Sequence, residues 1–356
     1  MTNDVSILQA DAIGLLKQLI ATPSFNKEED NSSALIRIFL ERYGVQTEQY
    51  LYKIWAKNKY FYAGRPTILL NSHHDTVKPN KGYTLDPFSA IEKDGKLFGL
   101  GSNDAGGSLV ALIATFLYFY EKENLKYNIL LAATAEEEIS GHNGIETLLP
   151  KLGKIDFSIV GEPTQMNMAV AEKGLMVLDC ITTGRAGHAA REEGDNSIYK
   201  AIKDIEWFNS YKFDKVSDLL GPVKMSVTVI ETENKAHNVV PAQCRFVVDC
   251  RVNELYTFEE MLDIIRSNVH SEVKPRSTRL RSSAIALDHP LVKAGLKIGS
   301  RYYGSPTTSD KALMTFPALK IGPGDSARSH TADEYIYIDE ITNGIDLYIQ
   351  LLNQLV

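Results

Sequence analysis

Three apolar runs in this chain stop abruptly at clustered acids or histidines. PTILLNSHHD (Pro66–Asp75) ends in two histidines and an aspartate, YNILLAATAEEE (Tyr127–Glu138) in three glutamates, and DFSIVGEPT (Asp156–Thr164) in Gly-Glu-Pro. Short, continuously apolar runs of this kind are strands buried on both faces. The stretch AGGSLVALIATFLYFYEKEN (Ala105–Asn124) between the first two reads as a helix with its glycines at the start. Strands interleaved with helices predict an α/β fold, a mostly parallel sheet with helices on both faces. Ligands in such sheets gather beyond the carboxyl ends of the strands, where HHD, EEE and GEP all fall.

The texture changes near Gly174. LMVLDCITTGRAG, VKMSVTVIETE and AQCRFVVDCRV are longer, more alternating strands, and DNSIYKAIKDIEWFNSY and TFEEMLDIIRSNV are helices among them. That is the pattern of an α+β insertion with an antiparallel sheet. The α/β texture returns near Leu287 and ends in the helix DEITNGIDLYIQLLNQLV. The expected organisation is a domain made of residues 1–173 and 285–356, interrupted by a smaller one at 174–284. A length of 356 residues suits two domains.

A net charge of −7 argues against nucleic acid or an anionic membrane as partner. The longest apolar run, LVALIATFLYFY (Leu109–Tyr120), is far short of the ~20 residues a membrane helix needs. The first twenty residues read as an amphipathic helix without the basic start of a signal peptide. Cys180, Cys244 and Cys250 lack CxxC spacing and read as reduced, buried thiols of a cytoplasmic protein.

On a strand, His73 and Asp75 share a direction and His74 faces away. A metal-bound imidazole commonly gives its second N–H to a carboxylate, so His73 is a candidate ligand and Asp75 its orienting partner. Taken alone, HxD serves a solvated histidine pair equally well. Glu136, Glu137 and Glu138 follow a buried strand. Two like charges ~4 Å apart repel by about 4 kcal/mol at an effective dielectric of 20, so an enclosed cluster protonates or takes a cation. Alone, a solvated turn explains it. Asp104, in FGLGSNDAGGSLV, stands at a helix start, where a plain N-cap is the simpler reading. Gly99 and Gly101 hint at a nucleotide loop, but Asp104 occupies the place of the third glycine. No GxSxG elbow occurs. Glu162 in VGEPT and His330 in SARSHTADEYI complete a set of two histidines and three carboxylates that could surround two metal ions. Mixed imidazole and carboxylate donors suit zinc, with cobalt or manganese as replacements.

Taken in order, SHHDTV, GSNDAGG, TAEEEISG, VGEPT, GRAGHAA, NVVPAQCRFVVDCR, TTSD and SHTADEY resemble the two-zinc amidohydrolase family of acetylornithine deacetylase, succinyl-diaminopimelate desuccinylase, aminoacylase and glutamate carboxypeptidases. The resemblance covers essentially the whole chain. It implies that His73 and Glu162 hold one ion, Glu138 and His330 the other, and that Asp104 bridges them. Asp75 would orient His73 and Glu137 would be the general base. The insertion would be a lid and homodimerisation domain, with His188 reaching a neighbouring subunit's active site and Arg251 and Asn238 contacting substrate. Gly106 stands where many relatives have lysine, and Glu136 where aspartate is usual. Glu at 162 resembles the deacylase and carboxypeptidase branches. The implied activity is hydrolysis of a small N-acyl amino acid, with acetylornithine deacetylation in arginine biosynthesis first. The alternatives are an N-acetylcitrulline, N-succinyl or general N-acyl substrate. Two non-hydrolytic readings stand beside these: an inactive zinc-stabilised binding protein, and a nucleotide-binding α/β protein resting on the broken glycine loop.

Overall fold

A computed structural model describes residues 4–25, 27–191 and 193–356. They form two compact units: Met1–Val170, Ala284–Tyr303 and Ser309–Val356 make the first, and Ala171–Ser283 with Gly304–Thr308 the second. The short return segment has no sequence texture to announce it. It joins the second unit through hydrogen bonds, Lys173 N to Ser305 O at 3.1 Å and Thr308 Oγ1 to Lys173 O at 2.9 Å.

In the first unit the strands Asn128–Thr134, Thr67–His73, Phe157–Val160 and Ala318–Lys320 lie side by side in that order, all parallel. Thr47–Tyr50 and Lys53–Lys57 extend the sheet antiparallel beyond Asn128–Thr134. The strands Thr67–His73 and Asn128–Thr134 are buried at every position, as their unbroken apolar runs require. His73 pairs with Thr134 and Asn71 with Val160, so the three carboxyl ends finish within two residues of one another. The helix Gly107–Tyr120 is buried along its length except at Tyr118, the expected state of a helix apolar on all sides. The helix Val5–Ile20 starts at Asp4, which accepts from Ser6 N at 3.0 Å, and buries Leu8, Ala12, Leu15, Leu16 and Ile20. Among the described residues, no helix is long and apolar enough to cross a membrane.

The second unit is a four-stranded antiparallel sheet in the order Lys224–Glu231, Gln243–Val252, Gly174–Thr183, Glu272–Pro275. Its two central strands alternate buried and half-buried positions, so one face packs and the other does not. The buried face meets the helices Ser197–Ser210 and Phe258–Asn268 through Met176, Leu178, Cys180, Phe208, Phe246 and Met261. Thr257 and Glu260 close a reciprocal cap on the second helix. All three cysteines are buried and unbonded in this core.

Candidate metal centre

His73 ends the middle strand of this trio, with the AEEE loop on one flank and the GEP loop on the other. Neighbouring strands lie ~4.8 Å apart, so donors from both flanks can reach one imidazole. The ring is 1% exposed and its Nε2 has no hydrogen-bond partner. Around that nitrogen stand Asp104 Oδ1 at 3.5 Å, Glu162 Oε1 at 3.8 Å and Glu137 Oε2 at 3.9 Å. On the other side, Nδ1 lies 3.1 Å from the Asp75 carbonyl and 3.4 Å from its Oδ1. His74 turns away as alternation predicts. Its Nδ1 meets Ser32 Oγ and its Nε2 meets Tyr52 O, both at 2.9 Å. Burial pushes the His74 pKa down to about 4, so this ring is neutral and structural.

Asp75 is fully buried and also accepts Glu138 N at 3.0 Å, fixing the start of the glutamate loop. Burial opposes its charge, but His73 and that N–H outweigh it and hold the carboxyl below its usual range. Glu138 Oε2 lies 3.0 Å from His330 Nε2, and Asp104 Oδ2 lies 3.7 Å from the same nitrogen. Asp104 therefore turns one oxygen toward each histidine. His330 is half-exposed, with φ +60°. Its pKa is raised to about 9, chiefly by the Glu138 carboxylate. Burial raises Glu162 to about 8 and raises Glu137 well above its ordinary value. These carboxylates are short of positive charge, and a bound cation would invert the shifts.

His73, Asp104 and Glu138 offer donor atoms within 4.8 Å of one another, and so do His73, Glu137 and Glu162. Tetrahedral zinc with bonds near 2.0–2.1 Å needs donors about 3.4 Å apart. The separations of 3.0 to 3.8 Å between the histidine nitrogens and Asp104, Glu138 and Glu162 fit that. The buried, partnerless Nε2 of His73 fits it as well. The five expected ligands thus come together, with Asp75 behind His73. Glu137 lies among them, so distance alone does not separate a base from a ligand.

The three expected substrate or lid residues lie in the second unit. The strand Gly187–His188 pairs with Val239–Val240, and Ala189 N donates to Asn238 O at 2.9 Å. This brings His188 and Asn238 together. His188 is exposed, its Nδ1 accepting Ala190 N at 3.1 Å. Arg251 is already engaged, with Nε and Nη2 donating to Asp249 at 2.8 and 3.0 Å.

Several supporting residues escape a sequence reading. Asp310 accepts Asn71 Nδ2 and Thr134 Oγ1, both at 2.9 Å, tying two strand ends together. Its motif, TTSD, is visible in the sequence, but nothing there assigns it a partner. Glu334 accepts Gly101 N at 3.2 Å, Asn103 N at 2.9 Å and Asp104 N at 3.0 Å. The amides of the glycine-rich loop are thereby used, which closes the phosphate-binding reading. Glu136 reaches back to Asn143, accepting its N at 3.3 Å and Nδ2 at 3.2 Å. A Cβ on Gly141 would collide with that carboxylate. Gly106 has no room for a lysine, because a Cβ there would meet Gly101 O and lie 2.7 Å from Leu16 Cδ1.

The sequence matches peptidase family M20/M25/M40 over residues 69–354. A relative from Wolbachia pipientis subsp. Culex pipiens (strain wPip) is a succinyl-diaminopimelate desuccinylase, 27% identical over 97% of this chain and 93% of the relative. The fold is shared with aminopeptidase PepT from Bacillus cereus at a TM-score of 0.78 and 17% identity, covering 98% of both chains. It is also shared with the Bacillus subtilis YXEP protein, a dinuclear metal binding peptidase, at 0.73 and 14%, covering 98% of both. The Wolbachia relative carries the desuccinylase name that stood among the alternatives, and so favours that alternative over the acetylornithine deacetylase placed first. With the match running from the strand that ends in His73 into the final helix, the chain belongs to peptidase family M20/M25/M40.

Proposed function

We propose that this protein is a two-metal amidohydrolase that removes an acyl group from the α-amino or side-chain nitrogen of an amino acid, with N-succinyl substrates preferred. One observation carries the reading: Asp104 turns an oxygen toward each of two histidines, and one of those histidines is buried with a nitrogen that nothing satisfies. His73 and Glu162 would hold one divalent ion, Glu138 and His330 the other, with Asp104 between; zinc suits these donors. When bound, such a pair supplies a Lewis acid for the scissile carbonyl and acidifies water at neutral pH.

The chain's own residues do the rest. Asp75 fixes the His73 ring by facing Nδ1, so that Nε2 points at the rim. Glu137 takes a proton from the attacking water and returns it to the departing amine. His188, reaching in from a neighbouring subunit, would donate to the oxyanion, and Arg251 would bind a substrate carboxylate, releasing part of its hold on Asp249.

The succinyl preference rests on the names of the relatives. The acetylornithine reading rested on motif order, which desuccinylases share, and yields to it. Homodimerisation through the second unit is supported by the sheet's edge strand Lys224–Glu231, where Val229 is 46% and Ile230 54% exposed. Tyr199 and Ile202 on the neighbouring helix are exposed too.

The test is metal analysis on purified protein together with a panel of N-succinyl and N-acetyl amino acids, scored by amine release. Two ions per chain and faster release from the succinyl compounds are expected. Faster turnover of acetyl compounds overturns the acyl preference. Two bound ions with no hydrolysis of any substrate leave an inert zinc-stabilised binding protein.

A further inference from the structure

Two of the three donors around the second ion site, Asp104 and His330, reach it from separate loops, and one side chain ties those loops together. Glu334 is 1% exposed and lies four residues after His330. Its carboxylate takes the N–H groups of Gly101, Asn103 and Asp104, and its own carbonyl takes Gly99 N at 3.0 Å. Four amides of the loop that ends in Asp104 therefore terminate on one residue. Asp104 has φ −116° and ψ 100°, outside helical geometry, so the following helix does not set its direction. His330 sits at positive φ in a polar loop and is half-exposed. No strand ladder fixes it, whereas His73 belongs to a buried strand and Glu162 lies two residues past the end of one.

We propose that Glu334 is a positioning residue: by gathering the amides of the Gly99–Asp104 loop onto the segment that carries His330, it sets the distance between Asp104 and His330 and so builds the His330 side of the metal centre. The inference rests on the two-metal reading above. Neighbouring Asp333 makes a useful contrast. It accepts Thr84 N and Leu85 N at 2.9 Å and Thr84 Oγ1 at 2.6 Å, fastening a different loop to the same segment without touching Asp104.

The partners that orient metal ligands typically govern 10- to 100-fold in affinity. The test measures ion stoichiometry and stepwise zinc affinity, by competition with a chromophoric chelator, in the native chain and in Glu334→Ala, Glu334→Gln and Asp333→Ala. Melting temperatures of the metal-free proteins are taken alongside. In Glu334→Ala one ion, that of the His330 side, is expected to bind about 10- to 100-fold less tightly while the other is nearly unchanged. Glu334→Gln is expected to fall between, since its amide keeps one acceptor oxygen but turns an NH2 toward a backbone donor. It also serves if the alanine variant does not fold. Asp333→Ala is expected to melt lower with both affinities kept. Native-like affinities in both Glu334 variants overturn the proposal, and so does equal weakening of both ions. A native chain that binds no zinc overturns the metal-centre reading itself, and this inference with it.

Discussion

The rim of the parallel sheet and the half-buried face of the antiparallel sheet both carry many charges, but they settle them differently. On the antiparallel sheet, acids meet bases directly: Arg251 with Asp249 and Arg276 with Asp179, both at 2.8 Å. At the rim, Asp75, Asp104, Glu137, Glu138 and Glu162 converge on only two imidazoles, and burial raises three of these carboxyls. A balanced face is complete in itself, whereas a buried excess of one sign asks for something not made of protein. Local charge imbalance, more than the number of charges, separates a site from an ordinary surface here.

The largest expected effect tests the imbalance at its centre. Glu137→Gln should retain both ions and lose about 10²- to 10⁴-fold in turnover, the range of general-base catalysis. Steady-state kinetics with metal analysis on one sample checks it, and near-native turnover would show that Glu137 is not the base. In the second unit, His188→Ala should lower kcat about 10²-fold with little change in KM, as for loss of an oxyanion donor. An unchanged kcat would remove the second unit from the chemistry.

His74 sharpens the comparison from within the first unit. Its folded pKa, lowered by burial to about 4, lies below the unfolded value near 6.5. The unfolded chain therefore binds the proton first, so the stability contributed by the neutral ring is full above pH 6.5 and is lost as pH falls toward 4. The loss should be about 2 kcal/mol by pH 5. Urea unfolding at pH 7.5 and 5.0 should show it in the native chain, and a His74→Gln variant should lack that component. The smallest effect belongs to an exposed pair: Arg281→Ala, which frees Glu259 from a 2.8 Å contact, should cost under about 1 kcal/mol. A larger loss would mean that the paired charges of the second unit bear more of the fold than their exposure implies.

Part of the rim could be read from sequence because His73, Glu138 and Glu162 sit at or just past strand ends, where a run of buried residues gives way to polar ones within a few positions. Strand alternation separated His73 from His74 for the same reason. It could not separate Glu137 from Glu138, because the strand ends at Thr134 and Glu136 takes φ +58°, so period two no longer applies. Glu334 and Asp310 were hidden for another reason: they act on the backbone or side chains of segments more than 170 residues away, which only the fold brings near. The antiparallel strands were plain from their alternation. The pairing that joins His188 to Asn238 spans about fifty residues of irregular sequence and left no local trace.

The tight seat of Gly106 limits what can be engineered into this loop. Any residue larger than glycine there collides with the Gly101 carbonyl and with Leu16 of the opening helix. Trimming Leu16 removes only the second obstacle, because the carbonyl belongs to the backbone, so a lysine at 106 requires a different path of the loop between Gly101 and Gly106. A lysine grafted here from a relative therefore has to bring its loop with it.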